Sequence, residues 1–292
     1  MIQNPPPYGT RMLPEGTYNG QVVMITGGGT GLGKAMAIEF ARCGAKVAIV
    51  SRKPEHLESG VQAIAEIGGE AQAFACDIRD PERIAQTFDE IEAALGPVTV
   101  LVNNAAGNFP CPAEEMTPNA WRSVTAIVLD GTFYCSTEFA RRRLALGEGG
   151  AILNIGATYS WTGGPGTSHS AAAKAGVTNL TQSLAVEWAP DNIRVNCIAP
   201  GLFIHDDHPT AMQKGIKGGA GREYANNDST VPGGRTGFLH ELGWAATYIC
   251  SPFAVYISGH TLVIDGANWL RRSLRMPEFT TVRDTIVRKK DL

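Results

Sequence analysis

Lys174 follows Ser170 by one helical turn in SHSAAAKAG, so the two side chains share a helix face. The lysine can hold positive charge in a site. The serine hydroxyl can donate a hydrogen bond but is a poor acid. Upstream, GATYSWTGG contributes Tyr159, a phenol whose pKa a neighbouring buried cation would lower, making it the better proton donor. Tyr159, Ser170 and Lys174 together could polarise an acceptor oxygen and deliver a proton during a reduction. Such chemistry needs a hydride source and a place to hold it.

That place is suggested by TGGGTGLGK, residues 26–34, directly after the apolar run QVVMIT. Glycines at this turn let the backbone approach a pyrophosphate, and the helix that follows offers free N–H groups and the positive end of its dipole. Gly27, Thr30, Gly31, Leu32 and Gly33 are the candidate cradle. The second apolar run, KVAIVS, ends at Ser51-Arg52-Lys53. An acid there would accept from a ribose 2′-hydroxyl; two cations suit a 2′-phosphate, hence NADP(H), and otherwise form a solvated basic turn. Asp77, ending the third run, can accept from an adenine amino group or cap a helix.

The elements that must position these residues follow from apolar periodicity. Strands are expected at 21–26, 46–51, 71–76, 98–103, 151–156, 193–200 and 261–265. Helices are expected at 32–42, 54–67, 80–95, 117–146, 168–189 and 238–251. Strand and helix alternate about seven times on short connections. This implies an α/β fold: one Rossmann-type, doubly wound parallel sheet of about seven strands with helices on both faces. Residues 1–19 read as an arm, 20–270 as the dinucleotide-binding and catalytic domain, and 271–292 as a tail. The long segment 202–236 reads as a lid at a strand's carboxyl end.

Composition narrows the function classes. Hydrophobic residues make up 43% and charged residues 18%, which is globular. A formal net charge of −3 makes no broad case for nucleic acid or acidic membranes. No apolar run approaches the roughly 20 residues that span a bilayer. Six scattered cysteines without CxxC, and an N-terminus without an apolar core, point to a reduced, cytoplasmic protein.

TGGGTGLGK, NNAAG at 103–107, the lysine of the 168–189 helix and IRVNCIAPG at 193–201 together resemble the short-chain dehydrogenase/reductase family. SRK at 51–53, CDIRDP at 76–81, NNAAGNF at 103–109, TPNAW at 117–121 and ATYSWTG at 157–163 resemble its 2,4-dienoyl-CoA reductases more narrowly. The likeness implies NADPH-dependent reduction of a conjugated dienoyl thioester during fatty-acid β-oxidation. Hydride would go to the δ carbon and a proton to the α carbon. It implies that Tyr159 replaces the acid most relatives carry where Ser170 stands, with Asn108 as second donor at the thioester oxygen. It implies cofactor contacts at Asn103, Pro200 and Lys174, substrate contacts at Arg52, Arg79, Phe109 and Thr117, and a homotetramer.

The pattern is broken in places. Asp130 stands where the family usually has an asparagine; it would either pair with Lys174 or be held protonated by burial. His205 falls where a threonine near the nicotinamide carboxamide is usual. His205-Asp206-Asp207-His208 has suitable metal-ligand types, yet a polar lid is the simpler reading and no metal is expected. Two alternatives stay open: a reductase of another carbonyl or enoyl compound, and a catalytically silent dinucleotide-binding protein.

Overall fold

The structure, a computed structural model, describes residues 3–205 and 231–270. Seven strands form one sheet: β1 (Val22–Thr26), β2 (Lys46–Ser51), β3 (Glu70–Ala75), β4 (Val98–Asn103), β5 (Gly150–Ile155), β6 (Ile193–Pro200) and β7 (Thr261–Ile264). Their spatial order is β3-β2-β1-β4-β5-β6-β7, and every pairing is parallel. Both faces are covered, which is why the central strands are continuous apolar runs rather than alternating ones. Successive residues then feed opposite cores. Val23 and Ile25 join one cluster with Phe40 and Leu242, while Val22 and Met24 join the other with Phe88 and Phe139.

The principal helices are α1 (Gly31–Arg42), α2 (Pro54–Ala65), α3 (Pro81–Leu95), α4 (Pro118–Thr125), α5 (Gly131–Leu146), α6 (Tyr159–Thr162), α7 (Ser168–Glu187) and α8 (Leu239–Cys250). Pro54, Pro81 and Pro118 occupy first helical positions, where the missing N–H costs nothing. Asp80 caps α3 by accepting from the backbone N–H groups of Glu82 and Arg83.

Two expectations are corrected. The single helix expected over 117–146 is interrupted by a π-helical turn, Ala126–Asp130. One extra residue in a wide turn re-aims the side chains without breaking the apolar pattern, so periodicity does not reveal it. Val124 and Val128 pack with Ala173 and Val177 of α7, while Ile127 faces the central cleft. The stretch around Tyr159, between the expected strand 151–156 and the expected helix 168–189, where no helix is expected, forms a single helical turn, α6.

Residues 3–19 carry no helix or strand and lie across α1 and α8. Tyr18 is fully buried edge-on to Phe40, and its hydroxyl donates to the Thr247 carbonyl. Trp244 Nε1 donates to the Thr10 carbonyl. Most of the expected lid, and all of the 271–292 tail, lie outside the described residues. The neck of the 202–236 segment is described: Gly237 N–H donates to the Leu202 carbonyl at 3.0 Å. No described helix is long and apolar enough to cross a membrane.

Candidate active site

The chain leaves β1 toward β2 on one side and returns to β4 on the other. The crevice in such a sheet opens at the carboxyl ends of these two strands. A cleft of about 520 Å³ lies there, extending past the ends of β2, β5 and β6.

Its floor is the glycine turn. Gly27 has φ +65° and Gly31 φ +48°, conformations that side chains resist. A Cβ on Gly33 would stand 2.2 Å from the Gly27 carbonyl oxygen, so helix and turn can touch only through glycine. Thr30 precedes α1 without a capping side-chain bond, and α1 has no acid in its first turn. The positive end of the α1 dipole therefore meets the cleft with no side-chain charge set against it. Gly27, Thr30, Gly31, Leu32 and Gly33 all line the cleft.

Arg52, Lys53 and Asp77 line the same cleft. Lys53 is the N-cap of α2, with no capping bond. A cation at a helix N-terminus is of the wrong sign for the dipole, an arrangement that suits an arriving anion. Asp77 accepts from Arg79 Nε at 2.9 Å and lies 3.7 Å from Arg52 NH1. The Arg79 bonds hold the Asp77 carboxyl below the usual range. These cradle and cation features fit a phosphorylated nicotinamide dinucleotide.

Asn103 is not part of the cleft wall among the described residues. It is buried, and its Nδ2 donates to Ser136 Oγ and Asn154 Oδ1, both at 2.9 Å. Its neighbour Asn104, which sequence reasoning missed, lines the cleft instead. Asn104 Nδ2 donates to the carbonyls of Thr26 (2.9 Å) and Gly27 (3.1 Å), stapling the glycine turn to the loop after β4. Pro200 and Gly201 complete the cleft from β6. His205 also lines it: a Cβ on Gly31 would stand 2.8 Å from the His205 Cε1 atom, which places that imidazole against the cradle. Asp206, Asp207 and His208 lie outside the described residues. Among the described residues no group of three His, Cys, Asp or Glu could hold a metal.

Tyr159 and Lys174 line the cleft. Tyr159 Oη stands 3.0 Å from Ser170 Oγ, eleven residues along the chain. Gly163, at φ +75°, turns the chain back after α6 so that this contact forms. Lys174 is buried, and its Nζ donates to the Ile155 carbonyl. Burial lowers the lysine to about 8. Cys197 lies in the same layer: burial lifts its thiol to about 11, against the pull of Lys174. The expected acidification of Tyr159 by the lysine is overturned. Burial raises the phenol instead, and Ser170's hydrogen bond offsets part of that.

The remaining expected site residues stand elsewhere. Asn108 does not line the cleft among the described residues, and its Oδ1 accepts from the Phe109 N–H at 2.9 Å. Phe109 packs edge-on against His169, ring centres 4.5 Å apart. His169, also missed, is fully buried, accepts from the Ser170 N–H at its Nδ1 (2.8 Å), and is lowered by burial, hence neutral. Thr117 caps α4 by accepting from the Ala120 N–H at 3.1 Å. Arg79 is committed to Asp77 at the cleft's edge. Asp130 is exposed, contradicting both readings made for it: it neither meets the buried Lys174 nor is buried itself.

A family model described as enoyl-(acyl carrier protein) reductase matches residues 27–267. A Bacillus subtilis (strain 168) protein named "probable 2,4-dienoyl-CoA reductase, (2E)-enoyl-CoA-producing" is 41% identical over 251 residues, covering 86% of this chain and 97% of that protein. The rat peroxisomal 2,4-dienoyl-CoA reductase, named as (3E)-enoyl-CoA-producing, is 38% identical, covering 86% and 84%. A crystal structure of a short-chain dehydrogenase from Bacillus anthracis superposes with TM-score 0.78 at 42% identity, covering 87% of this chain and 98% of that one. A gluconate 5-dehydrogenase from Burkholderia cenocepacia, solved with NADP and tartrate, superposes with TM-score 0.78 at 28% identity, covering 88% and 99%. With a glycine cradle at the sheet's switch point and a Tyr–Ser–Lys cluster beside it, the chain belongs to the short-chain dehydrogenase/reductase family, oxidoreductases that bind a nicotinamide dinucleotide.

Proposed function

We propose that this reductase acts on a conjugated 2,4-dienoyl-CoA thioester, with NADPH as reductant. The observation that carries the reading is the phenol of Tyr159. It comes from the turn after β5, reaches Ser170 on the lysine's helix, and faces the dinucleotide cleft. The names of the relatives support the substrate class.

When bound, NADPH supplies a hydride, which in this reading adds to the δ carbon. Gly27, Thr30, Gly31, Leu32 and Gly33 would hold its phosphates, Arg52 its 2′-phosphate, and Lys174 its nicotinamide ribose. Addition at the δ carbon sends negative charge along the conjugated system to the thioester oxygen. Tyr159 stays protonated, because burial holds its proton, and donates a hydrogen bond at that oxygen. Ser170 orients the phenol. Asn108 Oδ1 is taken by the Phe109 N–H, and its Nδ2 stays open for the expected role of second donor at that oxygen. Protonation at the α carbon would complete a 3-enoyl product, the kind the rat relative's name specifies, whereas the Bacillus subtilis relative's name specifies a (2E)-enoyl product. Moving the acid along the pocket suits an acceptor whose oxygen is several bonds from the carbon that takes the hydride.

The test is NADPH oxidation with a 2,4-dienoyl-CoA, with NMR of the product. Turnover of ketones but not of that thioester overturns the reading in favour of another carbonyl or enoyl acceptor. Binding of NADPH without any turnover marks a silent dinucleotide-binding protein. The reading extends to a cytoplasmic homo-oligomer.

Ser170→Ala is expected to lower kcat about fivefold, the scale of one neutral hydrogen bond. Were it more damaging than Tyr159→Phe in steady-state assays, Ser170 and not Tyr159 would be the donor. Arg52→Ala removes a charged partner worth about 1.5–3 kcal/mol, so NADPH should bind about 10- to 100-fold more weakly. NADH affinity should hardly move; equal NADPH and NADH affinity in the wild type contradicts the cofactor assignment.

A further inference from the structure

We propose that His56 is a partner of the adenosine 2′-phosphate and a determinant of NADPH over NADH. The inference rests on the NADPH reading above. Both cations already assigned to that phosphate are partly spent. Arg52 lies 3.7 Å from the Asp77 carboxylate, and Lys53 Nζ lies 3.7 Å from Glu55. A phosphate monoester carries close to two negative charges at neutral pH, about −1.5 to −2, and offers three acceptor oxygens. Arg52 and Lys53 alone leave acceptor capacity unmet.

His56 lies in the first turn of α2, half-buried, and lines the same end of the cleft as Ser51, Arg52 and Lys53. Its imidazole makes no hydrogen bond or ion pair with any described residue. An imidazole donates through one ring N–H even when neutral. Its backbone is also fixed by the cradle. A Cβ on Gly29 would stand 1.8 Å from the His56 carbonyl oxygen, and one on Gly60, a turn further along α2, would stand 2.9 Å from the Gly29 Cα. The first turn of α2 therefore sits directly on the glycine turn. The element that would hold the pyrophosphate also sets where the imidazole stands, so a dinucleotide seated in the cradle brings its 2′ position to a prearranged donor.

The experiment is fluorescence titration of the full chain with NADPH and with NADH, for wild type, His56→Ala and His56→Arg. His56→Ala is expected to weaken NADPH about five- to tenfold, the scale of a hydrogen bond to a charged group. NADH should change less than about twofold, and His56→Arg should restore NADPH binding. Parallel losses for both cofactors mean that His56 acts only by packing α2 on the cradle, and overturn the assignment. Unchanged NADPH affinity overturns it as well. A wild type with no preference for NADPH sinks the cofactor reading and this inference together; a preference that survives His56→Ala sinks this inference alone.

Discussion

Tyr159→Phe should lower kcat by about a hundredfold or more, the scale of a lost acid or preplaced oxyanion donor. The ring keeps its place on α6, so the substitution removes one oxygen and leaves Ser170 Oγ without its 3.0 Å partner. The KM for NADPH should change little, because the phenol in this reading touches the acceptor and not the dinucleotide. Burial raises the phenol above its ordinary value, so any basic limb that Tyr159 contributes to the pH profile should lie above the usual phenol range. Steady-state kinetics decide the point: a loss below about tenfold would be too small for the donor at the developing charge. Retention of full activity would mark Tyr159 as a wall aromatic.

Lys174→Met should have the second large effect, and it should appear in two measurements with different pH dependence. In turnover, removal of a preplaced cation from a dry site costs about a hundred- to a thousandfold. The lysine of the free enzyme titrates near 8 because burial disfavours its charge. The wild-type kcat/KM should therefore fall as pH rises through about 8. Lys174→Arg should move that limb upward, since a guanidinium does not titrate there. A limb that stays in place in Lys174→Arg belongs to another group.

In stability the sign is reversed. The folded lysine binds its proton less tightly than the unfolded one, whose value is 10.5. Burying the charge therefore costs stability fully below about pH 8, and the cost fades as pH rises toward 10.5. Lys174→Met should be more stable than wild type at pH 7 by up to about 3 kcal/mol, because a tenfold weaker hold on the proton corresponds to about 1.4 kcal/mol. The difference should shrink by pH 10. Tm measured for both proteins at pH 7 and pH 10 checks this; a methionine variant less stable than wild type at pH 7 would mean that the Nζ bond to the Ile155 carbonyl outweighs the burial of charge. Lower activity with higher stability is the pattern expected of a strained functional group.

Much of this protein is legible in its sequence because the deciding interactions are local. The seven apolar runs become a parallel sheet because both faces must be buried. The strand–glycine–helix junction declares an anion cradle because glycine, and nothing larger, fits its backbone at Gly33. The shared face of Ser170 and Lys174 follows from helical geometry alone.

Tertiary structure decided which neighbouring side chain reaches the site. Asn103 and Asn104 are consecutive at the end of β4, so they point to opposite sides, and only the packed sheet shows that Asn104 faces the cleft. The π turn rotates Asp130 out to solvent, a shift of one residue that composition cannot register. The acidity of Tyr159 likewise depended on packing: proximity to a lysine suggested a lowered pKa, but burial beside a neutral serine raises it. His56 and His169 carry no motif; one is placed by the contact of α2 with the glycine turn, the other by the edge of Phe109. Local periodicity settles which elements form, because it depends on residues a few positions apart. The direction of a single side chain at a strand end or helix insertion depends on contacts far away in the chain, and only the folded chain supplies them.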